Sequence, residues 1–71
     1  MEKKLIEIIK KILNVEYIEI DTNKDQISEW DSLANLQIMS EVEEKFNVKI
    51  PFEKITEIKN IRDILNIIKS K

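Results

Sequence analysis

Two isoleucine-rich stretches, one near each end of the chain, restrict the fold more than any other feature. Leu5, Ile8, Ile9 and Ile12 stand at i, i+3, i+4 and i+7, and Ile61, Ile64, Leu65 and Ile68 repeat that spacing. The interval sets four apolar side chains on one face of a helix and does not match the two-residue period of a strand. With no glycine and a single proline in the chain, neither stretch is interrupted. The first helix is predicted over Glu2–Leu13, ending near Asn14, with Ile6 and Leu13 widening its apolar stripe. Lys10 and Lys11 suit the negative end of its dipole. The last helix is predicted to follow Asn60 as N-cap, with Asp63 in its first turn and Ser70 and Lys71 fraying.

The middle of the chain predicts one more long helix, Ser32–Phe46. Leu36, Met39, Val42 and Phe46 share a face, with Ile38 beside them, and Glu41, Glu43, Glu44 and Lys45 lie on or near the other side. Asn47 is a left-handed stop and Val48 its hydrophobic contact. Ile50 precedes Pro51 and is pushed out of the helical region, so 48–50 runs extended. Pro51 can open a short helical turn over Phe52–Glu57, with Ile55 and Ile58 pointing inward. Between the first two long helices, Val15, Tyr17, Ile18, Ile20 and Ile27 keep no helical period, and 21–25 is a cluster of turn formers. This reads as a long ordered loop whose apolar side chains pin it across helix ends. Long loops of this kind are often functional. The expectation is an all-α, small four-helix bundle over residues 1–71 as a single domain. It has three main amphipathic helices, one short helix and a long first loop.

A chain of 71 residues buries roughly 60% of its unfolded surface, and 42% hydrophobic residues suffice for such a core. Without cysteine there is neither a disulfide nor a thiolate metal site, and without histidine there is no usual general base. Ser-His catalysis is therefore excluded. No carboxylate cluster has the spacing of a metal site, so no catalytic residue and no metal ligand is assigned and the chain is not read as an enzyme. A net charge of −2 with mixed charges argues against a nucleic-acid partner, which would call for a basic patch. No apolar run reaches the length of a membrane span. Glu7 and Lys10 break what could have been a signal-peptide run, which leaves the cytoplasm as the expected location.

Ser32 stands at the predicted start of the middle helix, between Asp31 and Leu33. One role for such a serine is capping, since Ser and Asp oxygens accept bonds from free N–H groups at a helix start. Ser28-Glu29-Trp30-Asp31 also matches a capping box loosely, with Asp in place of Glu. The other role is covalent attachment. An anion esterified to that oxygen would sit at the positive end of the helix dipole, and a separate transferase would supply base and metal.

Asp31-Ser32-Leu33, then Glu41-Val42-Glu43-Glu44-Lys45-Phe46, then Ile50-Pro51 resembles the acyl carrier proteins in order and spacing. Ile58-Lys59-Asn60-Ile61, leading into the isoleucine-rich last helix, is similar too, and the likeness covers essentially the whole chain. The resemblance implies a bundle whose Ser32 receives 4′-phosphopantetheine from coenzyme A. The arm's thiol then holds an acyl group as a thioester and delivers it to partner enzymes. It implies that Asp31 supports loading by helping to bind the transferase's Mg²⁺. Leu33 would be a hydrophobic partner contact, with a core leucine as the alternative. Glu43 and Glu44 would belong to an acidic recognition face, with a merely solvated face as the alternative. The implied partners are a phosphopantetheinyl transferase and the enzymes that load and remove the acyl group, acting on a monomer.

The departures bear on which carrier this is. Ser28-Glu29-Trp30 replaces the Leu-Gly-Ala that usually precedes the site in fatty-acid members, and Ala34 and Gln37 stand where those often carry acids. Peptidyl carriers show Gly-Gly there, and this chain has no glycine. Trp-Asp-Ser is more similar to stand-alone carriers of specialised pathways. An aminoacyl carrier of D-alanyl or peptidyl type is the alternative, and a non-catalytic helical interaction domain is a further one. Trp30 either packs the loop onto the bundle or meets a partner.

Overall fold

The first helix, α1, runs over Glu2–Leu13 and stops where Asn14 turns left-handed (φ 58°, ψ 45°). The second, α2, runs over Ser32–Phe46 and stops in the same way at Asn47 (φ 54°, ψ 50°). Asparagine tolerates this region better than other residues with a Cβ, and here it takes the place of the absent glycine. In both cases a valine follows. Its N–H reaches back to a carbonyl of the last turn, Val15 to Lys10 at 3.1 Å and Val48 to Glu43 at 3.2 Å. Helices α3 (Phe52–Ile55) and α4 (Ile61–Lys69) complete the computed structural model, which describes residues 1–70. Among the described residues there is no strand. The architecture is the expected all-α bundle.

The core forms where α1 packs on α2 and α4. Leu5, Ile9 and Leu13 of α1 meet Ile38, Met39 and Val42 of α2, and Ile61, Ile64, Leu65 and Ile68 of α4 join them. The radius of gyration is 10.8 Å, against about 11 Å for a compact chain of this length, so the long loop must lie flat on the helices. Two expected core positions turn outward. Ile8 is only half-buried, because the buried stripe of α1 is centred on Ile9 and one residue rotates the side chain by about 100°. Leu36 is 51% exposed. The buried arc of α2 runs through Ala34, Ile38, Val42 and Met39, and Leu36 falls about 60° beyond Met39, its nearer edge. Phe46 is half-buried against the core.

The loop has more structure of its own than expected. Lys24–Gln26 forms one turn of 3₁₀ helix whose start carries a reciprocal capping pair. The Asn23 side chain accepts from the Asp25 N–H at 2.8 Å, and Gln26 Oε1 accepts from the Asn23 N–H at 3.2 Å. The capping box therefore lies at Asn23 and Gln26, not at Ser28–Asp31. Ile18 and Trp30 are buried, and Val15, Ile20 and Ile27 pack against the core. Tyr17, expected to help pin the loop, is exposed, and its hydroxyl donates to Glu19.

Three contacts fasten the loop to the start of α4. The Lys24 N–H donates to the Lys59 carbonyl at 2.7 Å, and the Arg62 N–H to the Ile20 carbonyl at 3.0 Å. The Arg62 guanidinium grips the Asp21 carboxylate with two bonds of 2.6 and 3.0 Å. Hydrogen bonding from Arg62, reinforced by its charge, holds the Asp21 carboxyl below the usual carboxylate range.

The α2–α3 connection is held by Glu43, whose Oε2 accepts from the Ile50 N–H at 2.7 Å. Val48 and Ile50 are buried on either side of the exposed Lys49. The short helix is two residues shorter in its regular part than predicted, and Thr56 and Glu57 continue it as a turn. Ile58 is buried and Ile55 half-buried. Asn60 caps α4 as expected, accepting from the Asp63 N–H at 2.9 Å, while Asp63 accepts from the Lys59 N–H at 2.8 Å. Ser70, expected to fray, closes α4 instead: its N–H donates to the Asn66 carbonyl and its hydroxyl to the Ile67 carbonyl. Lys71 lies outside the described residues.

Candidate functional site

Which of two adjacent oxygens caps α2 decides what Ser32 is free to do. Asp31 is the N-cap, extended at φ −91° and ψ −174°. Its Oδ1 accepts from the Ala34 N–H at 2.9 Å. Ser32 is the first helical residue, and in the N1 position its hydroxyl is not called on for the cap. The Ser32 side chain is exposed and makes no hydrogen bond among the described residues. The capping reading of Ser32 is thereby corrected: its neighbour performs that task.

The approach to the site is packed into the core. Trp30 is 4% exposed, and its Nε1 donates to Asn35 Oδ1 at 2.9 Å. The indole joins the end of the loop to the first turn of α2 and satisfies its one polar atom, as a buried tryptophan must. Of the two roles considered for Trp30, packing the loop onto the bundle is the one its burial shows.

Ser32 opens onto a surface cleft of about 590 Å³. Its lining includes Trp30 and Asn35, the apolar wall of Leu36, Phe52 and Ile55, and Lys24 from the 3₁₀ turn. Leu33, at about 180° from the middle of the buried arc of α2, is 67% exposed, and Phe52 is 71% exposed. The leucine is thus a surface residue and not part of the core. Glu44 is exposed too, whereas Glu43 is half-buried and engaged with the Ile50 N–H. Both glutamates lie in the last turns of α2, some 16–18 Å along the axis from Ser32 at about 1.5 Å per residue.

The structure brings Asp31, Ser32 and Leu33 together at one end of α2 and sets Glu43 and Glu44 at the other. Lys24, Leu36 and Phe52 were not singled out as site residues from the sequence. Phe52 carried a signal, a large aromatic directly after the proline that opens a short helix. Lys24 carried none, because it comes to the cleft through a loop tied down by bonds that span 35 and 41 positions: its own N–H to Lys59 and the Arg62 grip on Asp21.

An exposed, unengaged hydroxyl beside an open cleft fits a covalently attached arm: it can be reached by another enzyme, and no internal bond is broken by esterifying it. Comparison with known proteins agrees. The model of the phosphopantetheine attachment site family matches residues 3–68. Acyl carrier proteins of two strains of Rickettsia bellii are 35% and 37% identical, each aligned over 97% of this chain and covering 83% and 88% of their own lengths. The acyl carrier protein of Porphyromonas gingivalis is 33% identical over 96% of this chain and 90% of its own. A solved structure, described as a candidate acyl carrier protein from Mycobacterium tuberculosis, superposes with a TM-score of 0.88. It covers 97% of this chain and 95% of its own at 24% identity, and so speaks to the fold. Helical architecture, family model and relatives converge: the chain belongs to the acyl carrier protein family, which carries acyl groups on a 4′-phosphopantetheine arm.

Proposed function

We propose that Ser32 is the residue to which the arm is attached and that Asp31 supports the loading. The observation that carries this reading is the division of labour at the start of α2. Asp31 takes the cap, and the Ser32 hydroxyl is left exposed and unengaged inside the matched family region. When bound, the arm supplies a thiol that holds an acyl group as a thioester. This chain's residues hold the esterified oxygen at the N-terminal end of a 15-residue helix, where unpaired N–H groups favour an anion. Asp31 fixes that helix end with one carboxylate oxygen, and the other is the atom we assign to the transferase's Mg²⁺.

The protein works as a carrier and not as a catalyst, a reading supported by a chain without histidine or cysteine. Its partners are a phosphopantetheinyl transferase and the enzymes that load and remove the acyl group. We assign Leu33 and Glu44 to the face they touch, supported by their exposure on the outer side of α2. Glu43 adds charge to that face while holding the α2–α3 turn. No helix of the described residues is long and apolar enough to cross a membrane. A monomer in the cytoplasm completes the reading, supported by a surface of mixed charge.

The test is loading. The protein is incubated with coenzyme A, Mg²⁺ and a transferase of broad specificity, and its mass is compared with that of a known carrier in the same tube. Addition of one phosphopantetheine to wild type and none to Ser32→Ala is the expected result. An unmodified wild type beside a loaded control overturns it.

A further inference from the structure

Three charged side chains line the cleft at Ser32, and only one of them is a cation: Lys24, against Asp25 and Asp31. A phosphodiester on Ser32 would add a third negative charge to this group. The Lys24 side chain is 32% exposed, well covered for a surface lysine. Its backbone is fixed twice, by the N–H bond to the Lys59 carbonyl and by its own carbonyl accepting from the Ile27 N–H at 3.1 Å. The Asp21–Arg62 fork holds the same loop from the other side. The ammonium is nonetheless hardly committed. Among the described residues its one carboxylate neighbour is the adjacent Asp25 at 3.7 Å, beyond hydrogen-bond distance and 84% exposed, a pairing of little strength.

We propose that Lys24 is the positioning residue for the arm: its ammonium pairs with the phosphodiester on Ser32 and turns the arm across the Leu36, Phe52 and Ile55 wall of the cleft. The proposal rests on Ser32 being the attachment point. It gives the tied-down loop a task, namely to hold one cation over a site whose other fixed charges are negative. The attraction is between exposed groups, so it is weakened by salt, whose screening length falls from about 30 Å at 0.01 M to about 3 Å at 1 M.

The experiment uses the full chain loaded on Ser32, with mass spectrometry of the intact protein and its peptides establishing the load. Side-chain NMR of the lysine CεH₂ groups is recorded before and after loading, together with the phosphorus resonance of the loaded protein. Loading is expected to move the Lys24 signal and to leave those of Lys49 and Lys54, which do not line the cleft, in place. The phosphorus resonance is expected to shift in Lys24→Gln, to return in Lys24→Arg, and to stay put in Lys54→Gln. The Lys24→Gln shift should collapse at about 1 M salt. A loaded protein in which Lys24 does not respond, and whose phosphorus resonance is indifferent to Lys24→Gln, overturns this proposal and leaves the attachment reading standing. A protein that takes no arm, or takes it elsewhere than Ser32, overturns both.

Discussion

Replacing Asp31 and Ser32 separately tests the division of labour on which the functional reading rests. The Asp31 carboxylate makes a 2.9 Å bond to the Ala34 N–H, and loss of an N-cap side chain costs about 1 kcal/mol, within a range of roughly 0.5–2. For a domain of this size, about 1 kcal/mol moves Tm by roughly 4–8 °C. Asp31→Ala should therefore melt about 5 °C below wild type, followed by helical circular dichroism of the unloaded protein at pH 7 and low salt. Asp31→Asn keeps a good capping oxygen and loses only the attraction of a charge for the helix dipole, about 0.3–1 kcal/mol, so it should fall between the two. Ser32→Ala removes a hydroxyl with no partner among the described residues and inserts the best helix former, so its stability should stay within about 0.5 kcal/mol of wild type. Loading should follow a different order. Ser32→Ala takes no arm, and Asp31→Asn, though well folded, loads more slowly than wild type. If Ser32→Ala melts as low as Asp31→Ala, the serine oxygen is structural and the reasoning fails. If Asp31→Asn loads at the wild-type rate, the carboxylate serves the helix cap alone.

Trp30→Ala should cost about 3–5 kcal/mol by urea unfolding, the usual price of emptying a buried aromatic site, and it would leave Asn35 without its 2.9 Å partner; a loss below about 1 kcal/mol would show that the indole does not hold the loop. The Asp21–Arg62 pair gives a pH signature. Because the folded-state carboxyl titrates below its ordinary value, its contribution is present above about pH 4 and is lost as pH falls through the folded value. Asp21→Asn should thus lower Tm modestly at pH 7 and match wild type near pH 2, with the gap at pH 7 closing in high salt; a gap that persists in acid would contradict the pairing.

Much of this protein is decided within a few residues along the chain. The spacing of Leu5, Ile9 and Ile12, and of Ile61, Ile64, Leu65 and Ile68, demands helices, because only a helix gathers such positions onto one side. Asn14, Asn47, Pro51 and Asn60 set the ends of these helices through backbone preferences that act on the residue itself and its neighbours. The three ordered blocks around Ser32, Phe46 and Pro51 likewise sufficed to point to the family. Other features depend on distances that no local pattern contains. Asp21 meets Arg62 across 41 positions, and Lys24 reaches the cleft only because its loop is tied to the turn before α4. Leu36 turns outward because the partners of α2 set its rotation about its axis, and one residue of phase amounts to about 100°. The cap at Asp31 shows the same limit at the smallest scale. Two neighbouring side chains could each have filled it, and the residue at which the backbone enters the helix chose between them. That choice, made by the packing of Trp30 and the loop behind it, left the serine hydroxyl facing solvent.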